Sequence, residues 1–534
     1  MRKLFLAGAA ALAAVPFHAA LADATDADIN RIVDEGLRHS QAMLTGSELM
    51  DEIGPRLSNS ENMARAQDWA EAKFREYGLT AHREGFDFGV AWNLDGYSAR
   101  MVQPRAIEMR AIPVAWSPPT GGTITAPVIL APMSKTEHFE KWRGKLAGKI
   151  VLVTLPGSAS QSERPIFRRY EDKDLANLDN YQLPKDESKP YEEFIKDDQF
   201  PLELSRFLKA EGAVAMVRKS GRDMGLVSGE GYLFQPGNTL ALPFMEIASE
   251  DYRRLARLDT IGKPPTIALA IDARTDENDL TDYNIIAEIT GRDPKAGYVM
   301  AGAHFDSWIG ADGATDNGAG SVVVLEAARI LAKMPRPKRT IRFALWSGEE
   351  QAFMGSTAYI EQHLANRPVD PNLSPLDYFA QWPGAFPIQT KPGYDELKAY
   401  FNLDNGAGKI RGIYAENNVG AIPMLQKWLA PFASMGAGTV VAGRTGGTDH
   451  EYMQTIGLPG FQFIQDPLDY SRLTHHTNVD TLDHVPPDDI RQASTVMAAM
   501  LWQAANSDTV LPRPPLPREP SKSDPFKVDD PDKG

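Results

Sequence analysis

The sequence predicts an α/β protein whose sheet carries helices on both faces and is interrupted by a smaller β-rich unit. From residue 283 onward, short apolar strand segments alternate with helical stretches, which is typical of such a sheet. Between residues 120 and 282 the chain is instead rich in β segments punctuated by Gly and Pro. Its 534 residues are also several times the length of a typical domain. We therefore expect two or more domains.

Composition excludes several classes of protein. The chain has 56 basic and 71 acidic residues, a net charge of −15, which argues against nucleic acid or an anionic membrane surface as the main partner. It has no Cys, which excludes disulfides, thiolate zinc sites, iron–sulfur clusters and Cys nucleophiles. Any metal must therefore be held by Asp, Glu and the ten His.

The N-terminus has the pattern of a secretory signal peptide. Arg2 and Lys3 precede an apolar run over residues 4–15, and Ala-Leu-Ala at 20–22 precedes Asp23. We predict a signal peptide over residues 1–22, cleaved after Ala22, and a periplasmic or secreted protein. A buried helix of small residues is the alternative. No later run reaches the length of a membrane span.

The remaining elements follow in chain order. Helical spacing predicts helices over 26–42 and 62–77, the second ending at Gly78. The α/β domain is predicted to comprise residues 23–119 and 283–508, with the β-rich unit at 120–282 inserted between them. Within that unit, residues 161–200 form a charged insertion, which we expect to be a mobile excursion or lid. Residues 509–534 are Pro-rich and charged and predict a disordered tail.

Side chains suited to metal binding follow the apolar segments of the α/β region. Ligands of open α/β sheets collect at the carboxyl ends of strands. A mixture of His and carboxylates there suits two divalent ions, Zn²⁺ most naturally, bridged by one carboxylate. The sequence leaves Mn²⁺ and Co²⁺ open. The residues in question are His304, Asp306, Asp316, Glu349, Glu350, Asp404, His475, His476 and Asp480.

These residues and their flanking motifs resemble the M28 zinc aminopeptidases, and within them the carboxypeptidase Q group. The motifs include HFDSW, GATDNGAG, the block PKRTIRFALWSGEEQAFMGS, GGTDHEYMQTIGLPG and HHTNVDT, and the resemblance covers most of the mature chain. It implies a zinc-aminopeptidase-like mixed sheet flanked by helices, with a protease-associated (PA) type domain at 120–282. It also implies cleavage of peptides next to a free N-terminus. A homodimer is a further expectation from relatives.

The resemblance assigns a role to each site residue. His304 and Asp404 would complete one metal site, Glu350 and His476 the other, and Asp316 would bridge them, with the Asp316–Asn317 peptide bond in cis. Glu349 would be the general base, and Asp306 would hold the ring of His304. His475 stands where some relatives carry an oxyanion-stabilising Tyr, so we treat it as a candidate hydrogen-bond donor. Asp449 and His450 are candidates for lining the substrate pocket.

Two other functions stay open at this point. A non-catalytic, receptor-like relative would keep the fold but lose ligands or the base, whereas all five ligand positions and Glu349 are present. An acyltransferase of glutaminyl-cyclase type would use one zinc ion, and His304 with Asp404 argues for a second.

Overall fold

The computed structural model describes residues 24–159, 164–180 and 188–519, with the side chains of residues 188–198 left out. The predicted signal peptide at 1–22, residues 520–534 of the predicted tail and parts of the 161–200 insertion lie outside the described residues. No helix in the described part of the chain combines the length and apolar character needed to cross a bilayer.

The described residues contain 12 α-helices and 18 strands. The helices are α1 (Asp26–Arg38), α2 (Ala42–Ser47), α3 (Glu61–Glu76), α4 (Asp172–Asn177), α5 (Ser188–Ala210), α6 (Ser249–Thr260), α7 (Ala319–Ala332), α8 (Met354–His363), α9 (Pro375–Gln381), α10 (Ile422–Leu429), α11 (His450–Thr455) and α12 (Pro487–Asn506). The strands are β1 (Thr80–Asp87), β2 (Ala91–Gln103), β3 (Ile107–Glu108), β4 (Ala111–Pro113), β5 (Ile124–Leu130), β6 (Ile150–Leu152), β7 (Ala215–Lys219), β8 (Phe244–Ile247), β9 (Thr266–Asp276), β10 (Thr281–Ile289), β11 (Tyr298–His304), β12 (Thr340–Trp346), β13 (Ala365–Asn366), β14 (Gln389–Thr390), β15 (Leu397–Asn402), β16 (Ile410–Tyr414), β17 (Thr439–Val441) and β18 (Gly460–Gln465).

The first large sheet has eight strands in the order β1-β10-β12-β11-β15-β18-β16-β17. Its four central strands, β12, β11, β15 and β18, run parallel to one another. Strands β1, β10 and β16 are antiparallel to their inner neighbours, so the sheet is mixed. Because the central strands are parallel, their carboxyl ends meet at one edge, where ligands of α/β sheets bind.

Helices cover both faces of this sheet, as predicted. On one face α1, α3, α7, α10 and α12 pack against the inner strands in a single apolar cluster. On the other face α8, α9 and α11 cover the same strands with aromatic residues such as Tyr359, Phe379 and Tyr452. Helix α3 begins after Ser60, whose hydroxyl accepts a hydrogen bond from the Met63 amide, and Gly78 follows its end with φ +88°. The α/β fold class is confirmed.

The second large sheet is built from eight consecutive strands, β2 to β9, in the order β3-β2-β9-β5-β6-β7-β8-β4. It forms its own apolar core with α6. Strands β2, β3 and β4 precede residue 120 and still belong to this sheet, while Thr281 already begins β10 of the first sheet. The strand pairing thus favours boundaries for this inserted unit near residues 90 and 277. Strand β2 was not predicted from the sequence, because buried and exposed residues do not alternate regularly along it.

Residues 164–180, called the strap below, cross from the inserted unit to the α/β domain. Arg168 forms a β-bridge with Leu468, and the Arg169 guanidinium contacts buried Asp466 at 2.9 Å and Asp489 at 2.6 Å. This part of the charged insertion is therefore attached to the α/β domain.

The C-terminal segment at residues 509–519 also lies against that domain. Leu511 is buried, and the Pro512 carbonyl accepts a hydrogen bond from the Asn418 side chain. This differs from the disordered tail that the sequence predicts from residue 509. Leu511 has an apolar core to join, which explains the difference.

Candidate metal centre

The parallel strands deliver the predicted side chains to one edge of the first sheet. His304 is the last residue of β11, Glu349 and Glu350 follow β12, and Asp404 follows β15. The segment after β18 brings His475 and His476 to the same edge. The sheet thus gathers every residue predicted for metal binding, although more than 170 residues separate the first from the last.

Asp316 lies between two clusters of candidate ligands. Its Oδ1 is 3.2 Å from His304 Nε2, and that nitrogen is 3.6 Å from Asp404 Oδ1. Its Oδ2 is 3.1 Å from His476 Nε2, which is also 2.9 Å from Glu350 Oε2. One carboxylate therefore faces a different histidine with each oxygen, which is the arrangement of a bridging ligand.

The geometry of these atoms fits metal ions. Ligands about 2.0–2.2 Å from a tetrahedral zinc ion stand about 3.3–3.6 Å apart, close to the separations above. Asp316 Oδ2 and Glu350 Oε1 are buried and accept no hydrogen bond from the described residues. The residues His304, Asp316 and Glu350 also form a compact group of potential ligand atoms, as do His304, Glu349 and Asp404. A cation bound among these oxygens would provide the interaction that the buried carboxylate atoms lack.

The backbone around Asp316 is held from the other side of the centre. The Asp480 carboxylate accepts hydrogen bonds from the amides of Thr315, at 2.7 Å, and Asp316, at 3.1 Å. The peptide bond between Asp316 and Asn317 is cis, as the resemblance implied. Asp480 occurs in the HHTNVDT motif, but its part in orienting Asp316 is visible only in the structure.

Asp306 orders the residues that follow β12. Its carboxylate accepts from the backbone amides of Glu349, at 3.2 Å, and Glu350, at 3.1 Å, and from the Ser58 hydroxyl. The His304 ring contacts the Asp306 backbone carbonyl at 3.1 Å, whereas the carboxylate is 3.6 Å away. The carboxylate expected to hold the His304 ring is thus used mainly to fix the Glu349–Glu350 backbone.

Burial and neighbouring charges shift the pKa values of two carboxyl groups at the centre. Burial, reinforced by Asp404 and Glu350, raises the pKa of Glu349 well above its usual value against the pull of His304. Burial likewise raises the pKa of Glu350 to about 7, although His476 opposes the shift. The centre thus holds several buried carboxyl groups close together, and a divalent cation bound among them would favour their ionised forms.

A cleft of about 210 Å³ opens over these residues. Asp316, Glu349, Glu350, Asp404, His475 and His476 form its polar floor. Its apolar wall contains Phe353, Leu376 and Phe379, and Tyr232 reaches it from the inserted unit. A small substrate in this cleft would lie directly on the candidate ligands.

Comparison with known proteins shows which peptidases are similar to this chain. Residues 284–501 match the profile of Peptidase family M28. The chain is also 26% identical over 471 residues to mouse (Mus musculus) carboxypeptidase Q, covering 87% of this chain and 86% of that one. The matched region includes every candidate ligand. Residues 284–501 are thus a Peptidase family M28 domain. The protein is a metallo-exopeptidase with that domain.

Solved structures agree with the fold of this M28 peptidase. A Peptidase M28 precursor from Shewanella amazonensis is similar with a TM-score of 0.64 and 22% identity, covering 92% of this chain and 98% of that one. A zinc aminopeptidase from Bacillus subtilis is similar with a TM-score of 0.54 and 20% identity, covering 88% of this chain and 95% of that one. Both similarities extend across the inserted unit as well as the α/β domain.

Asp449 and His450 of the M28 peptidase do not line the cleft as expected. Both side chains are completely buried, and His450 Nε2 lies 3.2 Å from Glu416 Oε1. They stand where α11 begins, and the hydroxyl of neighbouring Thr448 accepts a hydrogen bond from Asn402 at the end of β15. This packing places them beneath the centre. Burial raises the pKa of Asp449 to about 7.

Two contacts between the inserted unit and the histidine pair could not be predicted from the sequence. Glu230 Oε1 lies 3.0 Å from His476 Nδ1, and Arg222 Nη2 lies 3.3 Å from His475 Nδ1. Each residue is more than 240 positions from its partner, so no local spacing could link them. The one local signal is the Gly229–Gly231 pair around Glu230, discussed below.

Proposed function

We propose that this M28 peptidase is a two-zinc exopeptidase that hydrolyses the peptide bond next to a free α-amine, acting as an aminopeptidase or dipeptidase. The observation that carries the proposal is the placement of Asp316, whose two oxygens face His304 and His476 separately. His304, Asp404 and Asp316 would hold one ion, and His476, Glu350 and Asp316 the other. When bound, such a pair of ions supplies an acidified water and polarises the scissile carbonyl.

Glu349 is the proposed general base. Its carboxylate lies on the cleft floor beside His304 and Asp404, and its backbone is fixed by Asp306. It would take the proton of the attacking water and pass it to the leaving amine, a role typically worth about 10²–10⁴-fold in rate. His475 Nε2, at the cleft surface, would donate a hydrogen bond to the oxygen of the reacting carbonyl.

The location and the second domain are also part of this proposal. The signal-peptide pattern at residues 1–22 supports a periplasmic or secreted enzyme. The second sheet, inserted between β1 and β10, supports a PA-type domain over roughly the predicted span 120–282, extended to the strands from Ala91. A chain folded outside the cytoplasm would rely on its large cores, since it has no Cys.

Metal content and a substrate panel test the proposal. We expect two zinc ions per chain by elemental analysis and hydrolysis of aminoacyl and dipeptide substrates that a chelator abolishes and zinc restores. The matched control is the same panel with acetylated N-termini, which should resist cleavage because the free amine is blocked. Fewer than two ions per chain, or equal cleavage of free and acetylated peptides, would overturn the proposal.

A further inference from the structure

The loop at residues 220–232 of the inserted unit, called the bridging loop below, reaches across to the metal centre. It follows β7, lies in the connection to β8, and is fixed to both parts of the molecule. On the inserted unit, the Ser228 amide donates to Glu246 at 2.8 Å. On the α/β domain, Val227 exchanges hydrogen bonds with Asn478, which follows the histidine pair, at 2.9 and 3.0 Å. These hydrogen bonds fix the backbone of the loop, and with it the positions of the side chains that the loop carries.

Two glycines let the bridging loop place Glu230 where it lies. A Cβ on Gly229 would come within 2.8 Å of the Pro113 carbonyl, and one on Gly231 within 2.6 Å of the Ala115 carbonyl. Gly229 also has φ +73°, a conformation that favours glycine. Glu230 is thus held between two close backbone contacts, and its Oε1 also accepts from the Ser228 hydroxyl at 2.5 Å.

The bridging loop contacts the two histidines with opposite hydrogen-bonding chemistry. The rings of His475 and His476 stack with centroids 3.8 Å apart, so they share almost the same environment. A guanidinium has donors only, so Arg222 requires His475 Nδ1, 3.3 Å away, to be the acceptor. An ionised carboxylate has acceptors only, so Glu230 requires His476 Nδ1, 3.0 Å away, to carry the proton.

We propose that the bridging loop holds these stacked histidines in opposite tautomers. Glu230 fixes His476 with its proton on Nδ1, which leaves the Nε2 lone pair facing Asp316 and Glu350. Arg222 fixes His475 with its proton on Nε2, the nitrogen 3.7 Å from Asp316 Oδ2. Arg222 and Glu230 are positioning residues, because each acts through a histidine. The inference rests on the proposed function, in which His476 binds metal and His475 donates a hydrogen bond.

The two tautomers divide the work of the pair. His476 offers a lone pair to a cation, and the carboxylate behind it raises the basicity of the ring. His475 offers an N–H to the cleft, which its side chain reaches with 36% of its surface exposed. If both rings took the same tautomer, the centre would lose either a ligand or a donor.

Substitutions in the bridging loop separate these roles. For Glu230→Ala we expect about 10–100-fold weaker zinc binding in a chelator competition assay, because the ligand ring loses its support. For Arg222→Ala we expect unchanged zinc content and a kcat about 10-fold or more lower, with KM nearly unchanged, because only the donor is lost. Arg222→Lys should restore most of kcat, since an ammonium also only donates. Glu203→Ala on α5 and Arg257→Ala on α6 are matched controls that should change neither quantity.

Nitrogen NMR of histidine-labelled protein reads the tautomers directly. In the wild type we expect His475 to carry its proton on Nε2 and His476 on Nδ1, with the His475 signal changing in Arg222→Ala and returning in Arg222→Lys. The same tautomer on both rings, or wild-type kcat and zinc affinity in both alanine variants, would overturn the inference. A wild type with these tautomers that binds no zinc would overturn the proposed function alone.

Discussion

The candidate metal centre has a strand-end half, formed by His304, Glu349 and Asp404, and a loop half, formed by His475 and His476. The first half rises from adjacent parallel strands of one sheet, and the His304 side chain is only 1% exposed. The second half lies on a long segment after β18, with side chains 36% and 18% exposed, and depends on contacts from the inserted unit. The sheet alone therefore specifies one half of the centre, whereas two units must meet to specify the other.

The largest effect should come from the residue that joins the two halves. Asp316→Ala removes the carboxylate whose two oxygens face His304 and His476, so we expect both zinc ions to be lost and hydrolysis to fall to background. Elemental analysis and peptide hydrolysis measure this, with circular dichroism to verify folding. Retention of either ion at full occupancy would mean that the halves bind metal independently.

Within the strand-end half, Glu349→Gln should separate metal binding from turnover. We expect a loss of about 10²–10⁴-fold in kcat with zinc content unchanged, because the amide cannot accept the water proton. Glu451→Gln, on α11, is a control expected to retain activity. Glu349 lies beside His304 and Asp404, in a position where it could bind a metal ion. Loss of zinc in Glu349→Gln would therefore show that Glu349 is a ligand and not the general base.

Asp306→Asn tests how the strand-end half is stiffened. An amide oxygen would keep only part of the hydrogen bonding to the Glu349 and Glu350 backbone, so we expect about 10–100-fold lower activity with a smaller loss of zinc affinity. Asp312→Asn, in the same region, is the control, since the Asp312 side chain is partly exposed and does not belong to the groups of potential metal ligands. Equal effects of both substitutions would attribute the loss to local stability.

The smallest effect concerns the strap that secures the segment leading to the loop half. Arg169→Ala removes one of two guanidinium partners of Asp466, the other being Arg411 at 2.8 Å. Because Arg169 is 38% exposed, we expect only about 1 kcal/mol lower stability toward urea, with kcat unchanged. Lys173→Ala, which removes an exposed ion pair with Glu171, should have no measurable effect. A larger loss of kcat than of stability would show that the strap positions the histidines.

The same comparison explains what the sequence could predict. His304, Glu349 and Asp404 were predictable because each directly follows an apolar strand segment, and the ends of parallel strands meet at one edge. Asp316 and His476 were also among the candidates from the sequence, and the resemblance assigned their roles as ligands. Glu230 and Arg222 were not predictable, because contacts between units depend on how two sheets pack and leave no periodic trace in the chain. Asp449 shows the opposite error, since a polar motif near the centre proved to be buried under it.

The spread of the ligands along the chain has a consequence for when the centre comes into being. The first proposed ligand in the chain is residue 304 and the last is residue 476, and Glu230 precedes them all. No ion can therefore meet its full set of proposed ligands until nearly the whole polypeptide has been synthesised and the α/β domain has folded. If the chain is exported unfolded, metal loading comes after translocation. The metal that the enzyme carries would then depend on which ions are available in that compartment, and not on those in the cytoplasm.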